Sequence, residues 1–313
     1  MVTATTEKGT TMISVNDLSK KYGTVTALDG LSLKLDGGLV HGILGPNGAG
    51  KTTMVRILAT LTRPTSGTAE IGGYNVMTQS LQVKRKIGVV HQTLNFDPEL
   101  TGAESLLIHG MLYNMSRPAI RTRMRELIEF AGLTDSAHRP VSTYSGGMKR
   151  RLSIARAMMH EPKVVLLDEP TVGLDAHGRR KVWDLIRHLR HGGCTIILTT
   201  HYIEEAEILA DHVAIIDRGR VIIEGNPCHL VNAVGPVAVD HFDQGETKTV
   251  FFQDRQKAAV FLSSLTSKTT VRHTNLEDVF IGLTGRRVNP NKQEGEINHV
   301  SNHGGHTTRT HHS

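Results

Sequence analysis

Short apolar runs alternate with amphipathic segments between residues 12 and 228. Four of these runs are mostly apolar and do not alternate, which is typical of strands that are buried on both faces of a parallel sheet. They are residues 40–44, 88–90, 164–167 and 195–198. Leu31, Leu33 and Leu35 instead alternate with less apolar positions and predict a strand of a half-exposed antiparallel sheet. The pattern therefore predicts an α/β domain.

A mostly helical segment interrupts the strands from about residue 93 to residue 157. Thr101 and Glu104 have the spacing of a capping box, which predicts a helix start. Pro118 fits the first turn of the next helix, and Gly132 fits its end. We therefore expect a helical subdomain inserted into the α/β domain.

The composition changes beyond Pro227. Residues 229–287 contain an alternating stretch and a helix-like stretch, and they predict a small accessory domain. From residue 288 to 313, Asn, Gly, His and Thr dominate, which predicts a disordered tail. The polar residues 1–11 predict a flexible N-terminus. The histidines of the tail could form a metal site. Their irregular spacing, and the absence of a predicted fold around them, favour a solvated tail instead. They are His299, His303, His306, His311 and His312.

Composition places the chain inside the cell and outside the bilayer. No apolar run approaches the roughly 18 residues that a spanning helix needs, and the polar N-terminus lacks a secretory signal. The two cysteines, Cys194 and Cys228, make no disulfide framework. The net charge is +6, but the basic residues lie in short pieces without interleaved aromatic residues. We therefore expect no nucleic-acid partner.

Residues 45–52 read GPNGAGKT and match the pattern of a phosphate-binding loop between a strand and a helix. Gly48 and Gly50 allow backbone N–H groups to surround phosphates, and the helix that starts near Lys51 directs its positive dipole end at them. We expect Lys51 to reach the β- and γ-phosphates of ATP and the Thr52 hydroxyl to bind Mg²⁺. A glycine-rich turn without a ligand is the alternative. The predicted nucleotide-binding residues here are Gly45, Pro46, Asn47, Gly48, Ala49, Gly50, Lys51, Thr52 and Thr53.

An acidic pair follows the apolar run at residues 164–167. A parallel sheet binds its ligands at the carboxyl ends of its strands, and Asp168 and Glu169 lie at such an end. We expect Asp168 to hold Mg²⁺ through water and Glu169 to orient or deprotonate the attacking water. If no phosphate-binding loop preceded them, the alternative interpretation would be that these are two acidic residues at the surface after a strand.

Two further elements carry candidate chemistry. Ser145, Gly146 and Gly147 open a helix that we expect to run to about His160, and such a helix start can bind a second phosphate. His201 follows the strand that starts at residue 195, where its imidazole could contact the γ-phosphate. A single histidine after a strand is usually structural, so this role depends on the other motifs.

Together these motifs resemble the nucleotide-binding subunits of ATP-binding cassette (ABC) transporters, over residues 12–228 and up to residue 286. GPNGAGKTT, a glutamine after a strand, SGGM, LLDEP, GLD and the histidine of TTH follow one another in the order of that family. The resemblance implies a P-loop NTPase (RecA-like) α/β core with an antiparallel β subdomain, a helical insert and a small C-terminal accessory domain.

The resemblance also implies an assembly and further roles. Two cassettes would face each other head to tail, so that each ATP is held between the phosphate-binding loop of one subunit and the SGG helix of the other. Gln92 would act in catalysis and at the Mg²⁺, and Asp175 of GLD would lie at the bound nucleotide. Tyr22 matches the aromatic residue that stacks on adenine; an aromatic packed on a surface strand is the alternative.

The sequence departs from the common family pattern at two places. Tyr144 and Met148 flank the SGG where LSGGQ is usual, and Val172 replaces the usual serine before GLD. Ser145 and both glycines remain, so we expect ATP to be held normally. YSGGMKRR, LEDVF at 276–280 and LTGR at 283–286 are similar to the exporter branch that includes drug-resistance and lipo-oligosaccharide pumps.

The leading functional hypothesis is therefore the ATP-hydrolysing subunit of an exporter. A separate transmembrane permease would dock on the helical insert, chiefly at residues 93–100, and two copies of this chain would bind at the cytoplasmic face of the membrane. An importer subunit is one alternative. A soluble ABC ATPase that acts on ribosomes or DNA is another, although the chain carries one set of motifs and fewer than 100 residues separate Thr52 from Ser145.

Overall fold

The structure, a computed structural model, describes residues 11–243, 246–265 and 269–284. The chain divides between Pro227 and Cys228 into two compact units. The N-terminal segment 1–10 and the histidine-rich tail lie outside the described residues, so the predictions for them stay predictions. Thr11, which we assigned to the flexible N-terminus, is instead the first residue of a strand.

The first unit contains ten strands and seven helices in its described part. The strands are β1 (Thr11–Tyr22), β2 (Val25–Asp36), β3 (Val40–Leu44), β4 (Ser66–Ile71), β5 (Tyr74–Asn75), β6 (Ile87–Val90), β7 (Val164–Asp168), β8 (Thr195–Thr200), β9 (His212–Asp217) and β10 (Arg220–Gly225). The helices are α1 (Lys51–Leu58), α2 (Ser80–Lys86), α3 (Gly102–Leu112), α4 (Arg117–Phe130), α5 (Gly146–Ala157), α6 (Ala176–His191) and α7 (Ile203–Leu209).

A six-stranded sheet forms the centre of this unit, in the order β10-β9-β3-β8-β7-β6. The five strands from β9 to β6 are parallel, and β10 pairs antiparallel with β9. Every residue of β3, β7 and β8 is buried, which explains why their sequences show no alternation. Parallel pairing brings the carboxyl ends of β3, β7 and β8 to one edge of the sheet, and the candidate site lies there.

A second, antiparallel sheet has the order β2-β1-β4-β5. Leu31, Leu33 and Leu35 of β2 are buried while the residues between them are exposed, as the alternation predicted. They pack in one core with Met54 and Ile57 of α1. This packing fixes the helix that follows the phosphate-binding loop.

The helical insert contains α3, α4 and α5, and Leu106, Ile120 and Leu152 join them in one core. The predicted capping box is confirmed, because the Glu104 N–H donates to Thr101 Oγ1 at 3.1 Å and the Thr101 N–H donates to Glu104 Oε2 at 2.8 Å. Residues 93–100 form no helix. Helix α5 ends at Ala157, three residues before the predicted end.

The second unit contains α8 (Pro227–Val234), β11 (Val237–Asp243), β12 (Glu246–Phe252), α9 (Arg255–Ser263), β13 (Thr269–His273) and α10 (Leu276–Thr284). Its strands form an antiparallel sheet in the order β12-β11-β13. Val237, Val239 and Ala258 form its small core, against which Phe261 packs. The sequence indicated β12 and α9, but not the strands on either side of them.

Candidate functional site

Glycines of the loop between β3 and α1 lie where side chains cannot fit. A side chain at Gly45 would collide with the carbonyl oxygen of Ile216, and one at Gly50 would collide with that of Ala27. Gly50 also has a φ of +105°, which L-residues rarely adopt. Asn47 and Gly48 are exposed at the tip of the loop, three to four residues before α1 starts at Lys51. The N–H groups of the first turn of a helix have no partner within the helix, so they are available to a ligand.

Lys51 is the first residue of α1, and only 4% of it is exposed. Its Nζ donates to the carbonyl oxygens of Gly45 at 2.8 Å and Pro46 at 3.0 Å, and lies 3.5 Å from Glu169 Oε1. Burial lowers the pKa of Lys51, while the charges of Glu169 and Asp168 oppose that shift. The ammonium group is therefore fixed at the base of the loop.

Oxygen atoms converge beside Lys51. Thr52 Oγ1 donates to Asp168 Oδ1 at 3.2 Å, and Thr199 Oγ1 donates to the same carboxylate oxygen at 2.6 Å. Asp168 is buried at the end of β7. Among the described residues, no group of three or more His, Cys, Asp and Glu side chains could hold a metal ion. A hydroxyl and one carboxylate are nevertheless ligands of the kind that Mg²⁺ uses when phosphates complete its shell.

Glu169 is at the centre of the candidate site. Its Oε2 accepts from Gln92 Nε2 at 3.0 Å, and its Oε1 lies 3.2 Å from His201 Nδ1. Burial pushes its pKa up, but the neighbouring His201 and the charge of Lys51 outweigh burial and hold the pKa below its usual value. Its φ of +48° costs of the order of 1 kcal/mol for a residue with a Cβ, and such strain concentrates at functional sites.

The structure brings together six of the predicted residues and leaves three others apart. Lys51, Thr52, Gln92, Asp168, Glu169 and His201 form one connected network. Ser145 caps α5, where its Oγ accepts from the Met148 N–H at 3.2 Å, and Gly147 lies beside Gly178 of α6. In the described part of the chain, no hydrogen bond or ion pair joins residues 145–147 to the phosphate-binding loop.

Two further predicted residues lie at the ends of secondary-structure elements. Asp175 caps α6, and its Oδ1 accepts from the Gly178 N–H at 2.6 Å. Tyr22 is the last residue of β1; it is 45% exposed, and Lys20 Nζ lies 4.9 Å from its ring centroid. An exposed ring of this kind is available for stacking.

The sequence did not reveal two residues that organise the site. Thr199 donates its hydroxyl to Asp168 and accepts the Glu169 N–H at 3.1 Å, so it orients both acids. Arg150 of α5 is 4% exposed and donates to the carbonyl oxygens of His91 at 2.7 Å and Gln92 at 2.9 Å. The one available signal was that Thr199 is the first residue of TTH, close to the end of a strand, because strand ends carry ligand contacts in parallel sheets.

This fold and this site define a P-loop NTPase. The sequence profile of the ABC transporter family matches residues 28–172. The chain is 40% identical to a Nod factor export ATP-binding protein I of Ralstonia nicotianae over 306 residues, which cover 89% of this chain and 95% of that protein. It is 46% identical to the daunorubicin resistance ATP-binding protein DrrA3 of Streptomyces coeruleorubidus, over 74% of this chain and 73% of that protein.

Solved structures agree with the sequence relatives. One is a dimeric ATP-binding cassette in a post-hydrolysis state bound to ADP and phosphate; it is 30% identical, covers 69% of this chain and 98% of the cassette, and has a TM-score of 0.62. Another, the ATP-binding subunit of an ABC transporter, is 28% identical, covers 71% of this chain and 93% of that one, and has a TM-score of 0.65. The chain belongs to the ATP-binding proteins of ABC transporters, in the branch of the drug-resistance and Nod factor export proteins, and it is an ATPase.

Throughout residues 11–243, 246–265 and 269–284, every helix is too short or too polar to cross a bilayer.

Proposed function

We propose that this chain hydrolyses ATP to drive an exporter of a drug-like, lipid or saccharide substrate through a separate transmembrane subunit. The observation that carries the proposal is the buried Glu169 carboxylate, which contacts Lys51, Gln92 and His201 at the edge of the phosphate-binding loop. The names of the relatives support export, since they are resistance and Nod factor export proteins. Uptake by an importer is the second candidate, and a soluble role on ribosomes or DNA is the third.

The phosphate-binding loop holds the triphosphate in this proposal. Lys51 Nζ exchanges its contacts with the Gly45 and Pro46 carbonyls for the β- and γ-phosphate oxygens. The N–H groups of the loop and the positive end of the α1 dipole add to the attraction. Gly45 and Gly50 let the loop pack directly against the Ile216 and Ala27 carbonyls, which holds its backbone in place beneath the phosphates. Tyr22 stacks on the adenine.

Mg²⁺ fits beside the loop. The Thr52 hydroxyl and the Asp168 carboxylate would hold it, the latter through water, and Gln92 would be its third protein contact. When bound, Mg²⁺ would neutralise the charge that develops on the phosphate oxygens. Thr199 keeps the Asp168 carboxylate directed at Thr52, since both hydroxyls donate to the same oxygen.

Glu169 is the general base in this mechanism. Its carboxylate accepts a proton from the water that attacks the γ-phosphate, and its lowered pKa keeps it ionised at neutral pH. Gln92 fixes one carboxylate oxygen, and His201 fixes the other while its ring contacts the γ-phosphate. Proton acceptance at a fixed, water-poor position contributes typically 10² to 10⁴ in rate.

A second copy of the chain completes the site. The start of α5 at Ser145 and Gly146 is exposed and has no bond to the phosphate-binding loop within the described part of its own chain. Its free N–H groups can therefore bind the γ-phosphate held by another subunit. Asp175 lies at the adjoining start of α6 and would contact the same interface. A similar cassette was solved as a dimer with ADP and phosphate.

The transmembrane subunit would dock on the helical insert. Helix α3 exposes Ile108, Met111 and Leu112, so its outer side is apolar where a solvated helix would be polar. A cavity of about 320 Å³ lies next to α3, and Lys84 and Arg156 are among its lining residues. This apolar and basic surface fits an amphipathic cytoplasmic segment that carries an acidic side chain. Such docking would place the chain at the cytoplasmic face of the membrane.

Co-expression with the permease tests this proposal. We expect Leu112→Glu to reduce co-purification of the permease at least tenfold while the isolated chain keeps its ATPase rate, because Leu112 is 74% exposed and a charged side chain there stays in solvent. Val260→Glu, a change at a 71% exposed position of the second unit, is the matched control and should leave co-purification unchanged.

The direction of transport needs a separate measurement. ATP-dependent accumulation of substrate in inside-out vesicles that contain both subunits would support export. Accumulation only in right-side-out vesicles loaded with ATP would instead support the importer alternative.

Unchanged co-purification of the Leu112→Glu chain would contradict docking on α3.

A further inference from the structure

Helix α7 contains a buried carboxyl group that the proposed mechanism does not use. Glu205 is 1% exposed, whereas its neighbour Glu204 is exposed. Burial raises the pKa of Glu205, and the Thr200 and Thr171 hydroxyls and the Trp183 indole oppose that shift without cancelling it. Burial of a carboxyl group is costly compared with burial of an apolar side chain of similar volume. A position that needed only packing would therefore be served better by leucine.

The contacts of Glu205 join the parts of the chain that carry the site. Trp183 Nε1 of α6 donates to Glu205 Oε1 at 3.1 Å. The other oxygen, Oε2, has no hydrogen bond of ordinary geometry among the described residues, and neither has the buried Thr171 hydroxyl. Thr171 lies in the loop that leads from Glu169 to the start of α6. Glu205 thus lies between that loop, α6 and the strand end that carries His201.

A third part of the site is linked to Glu205 by charge. The carboxyl group interacts electrostatically with the buried guanidinium of Arg150, which donates to the carbonyl oxygen of Gln92 at 2.9 Å. Displacement of Glu205 would therefore change the contacts that hold His201, the loop after Glu169 and Gln92 in place. A shift of about 1 Å in such supports can lower a rate by up to about a hundredfold.

We propose that Glu205 is a positioning residue of the ATPase reaction, which holds the strand end of His201 against Trp183 of α6 and the loop at Thr171. Its observed partner is Trp183 of α6 and not a residue of the phosphate-binding loop, so we expect it to act on the rate of the chemical step and to leave the affinity for ATP unchanged. The inference rests on the ATPase site proposed above.

Steady-state kinetics provide the first test. We expect Glu205→Ala to lower kcat about tenfold with the KM for ATP within about twofold of the parent. Glu205→Gln should restore kcat to within about threefold, because the amide oxygen still accepts from Trp183 Nε1 and the amide N–H can donate to the Thr171 hydroxyl. Glu204→Ala on the same helix is the matched control and should behave as the parent does.

The kinetics can also overturn the proposal. A merely structural role predicts that Glu205→Ala lowers the melting temperature but keeps the parent kcat per ATP-binding molecule. A rise in KM at constant kcat, or a Gln variant as slow as the Ala variant, would contradict the proposal as well. If the Ala variant does not fold, Trp183→Phe replaces it, since it deletes the indole N–H donor and keeps a smaller aromatic ring at that position. It should lower kcat roughly threefold at constant KM, and an unchanged kcat would refute the proposal.

Fluorescence gives an independent readout, because Trp183 is the single tryptophan of the chain and its N–H bonds directly to Glu205. In a Glu169→Gln background, Mg-ATP should shift the Trp183 emission, and Glu205→Ala should abolish that shift while a fluorescent ATP analogue still binds. A shift that persists without Glu205 would refute the positioning role. Loss of analogue binding in the Glu169→Gln parent itself would instead contradict the proposed ATP site.

Discussion

Replacement of Glu169 by glutamine removes the proposed base with the smallest structural change. The amide keeps an oxygen that can accept from His201 Nδ1, now 3.2 Å from the carboxylate. Its N–H₂ group would face Gln92 Nε2, a donor at 3.0 Å, but rotation of the Gln92 amide presents an oxygen there instead. Thr52 and Asp168 keep their hydrogen bond, and Lys51 loses its ion pair with Glu169 but keeps its bonds to the Gly45 and Pro46 carbonyls. ATP binding should therefore persist within a few-fold of the parent.

Hydrolysis should fall steeply in the Glu169→Gln protein, because an amide does not accept the proton of the attacking water. A lost general base costs typically 10² to 10⁴ in rate, which is about 3 to 5 kcal/mol of activation free energy. We expect kcat to fall within this range.

The assay is phosphate release under saturating Mg-ATP, with binding of a fluorescent ATP analogue measured on the same preparation. Glu161→Gln, at an exposed acid beyond the end of α5, is the matched control and should keep the parent rate. A Glu169→Gln protein that hydrolyses ATP at the parent rate would show that Glu169 is not the base. Loss of analogue binding would show that the carboxylate acts in binding instead.

Three further predictions concern nucleotide binding, subunit number and pH. Lys51→Ala should abolish ATP binding and hydrolysis with the fold intact by circular dichroism, and normal turnover would refute the phosphate-binding loop. The purified transporter should contain two copies of this chain by quantitative mass spectrometry, whereas one copy would refute the homodimer. Burial lowers the pKa of His109 to about 4. As the pH falls below about 6.5, the unfolded chain therefore binds a proton at this histidine while the folded chain does not. The contribution of neutral His109 to the free energy of unfolding is full above pH 6.5 and is lost as the pH falls towards 4. In thermal melts between pH 7.5 and pH 5, His109→Phe should weaken the pH dependence and the exposed His138→Gln should not; an unchanged pH dependence of His109→Phe would contradict the assignment.

Four of the six strands of the central sheet were predictable, and β9 and β10 were not. Uniform burial in β3, β7 and β8 favours mostly apolar runs without alternation, and that pattern is visible without an alignment. The capping box at Thr101 was equally visible, because its contacts are local in the chain. Helix α5 ends at Ala157, whereas we predicted an end three residues later, at about His160. No residue in the adjoining sequence signals a helix end before His160.

Contacts between segments that are distant along the chain could not be predicted from the sequence. The loop, the acid pair and His201 were found because each motif is contiguous and has a chemical reason. Arg150 and Glu205 were missed because their partners, the Gln92 carbonyl and the Trp183 indole, become neighbours only through the sheet topology. The small second unit was only partly indicated, since the three consecutive buried residues Val237, Ala238 and Val239 of β11 and the mostly exposed β13 do not alternate cleanly. The catalytic roles and the domain assignment stay predictions.

Head-to-tail pairing of two chains around ATP is the central claim, and light scattering after gel filtration tests it directly. With Mg-ATP, the Glu169→Gln protein should elute at twice the 34.3 kDa of the chain, because ATP is bound but not hydrolysed. Ser145→Arg in the same protein should keep the mass at 34.3 kDa, since a long side chain would block the start of α5 from the γ-phosphate of the other subunit. If the double variant still forms a dimer with Mg-ATP, the head-to-tail site is wrong.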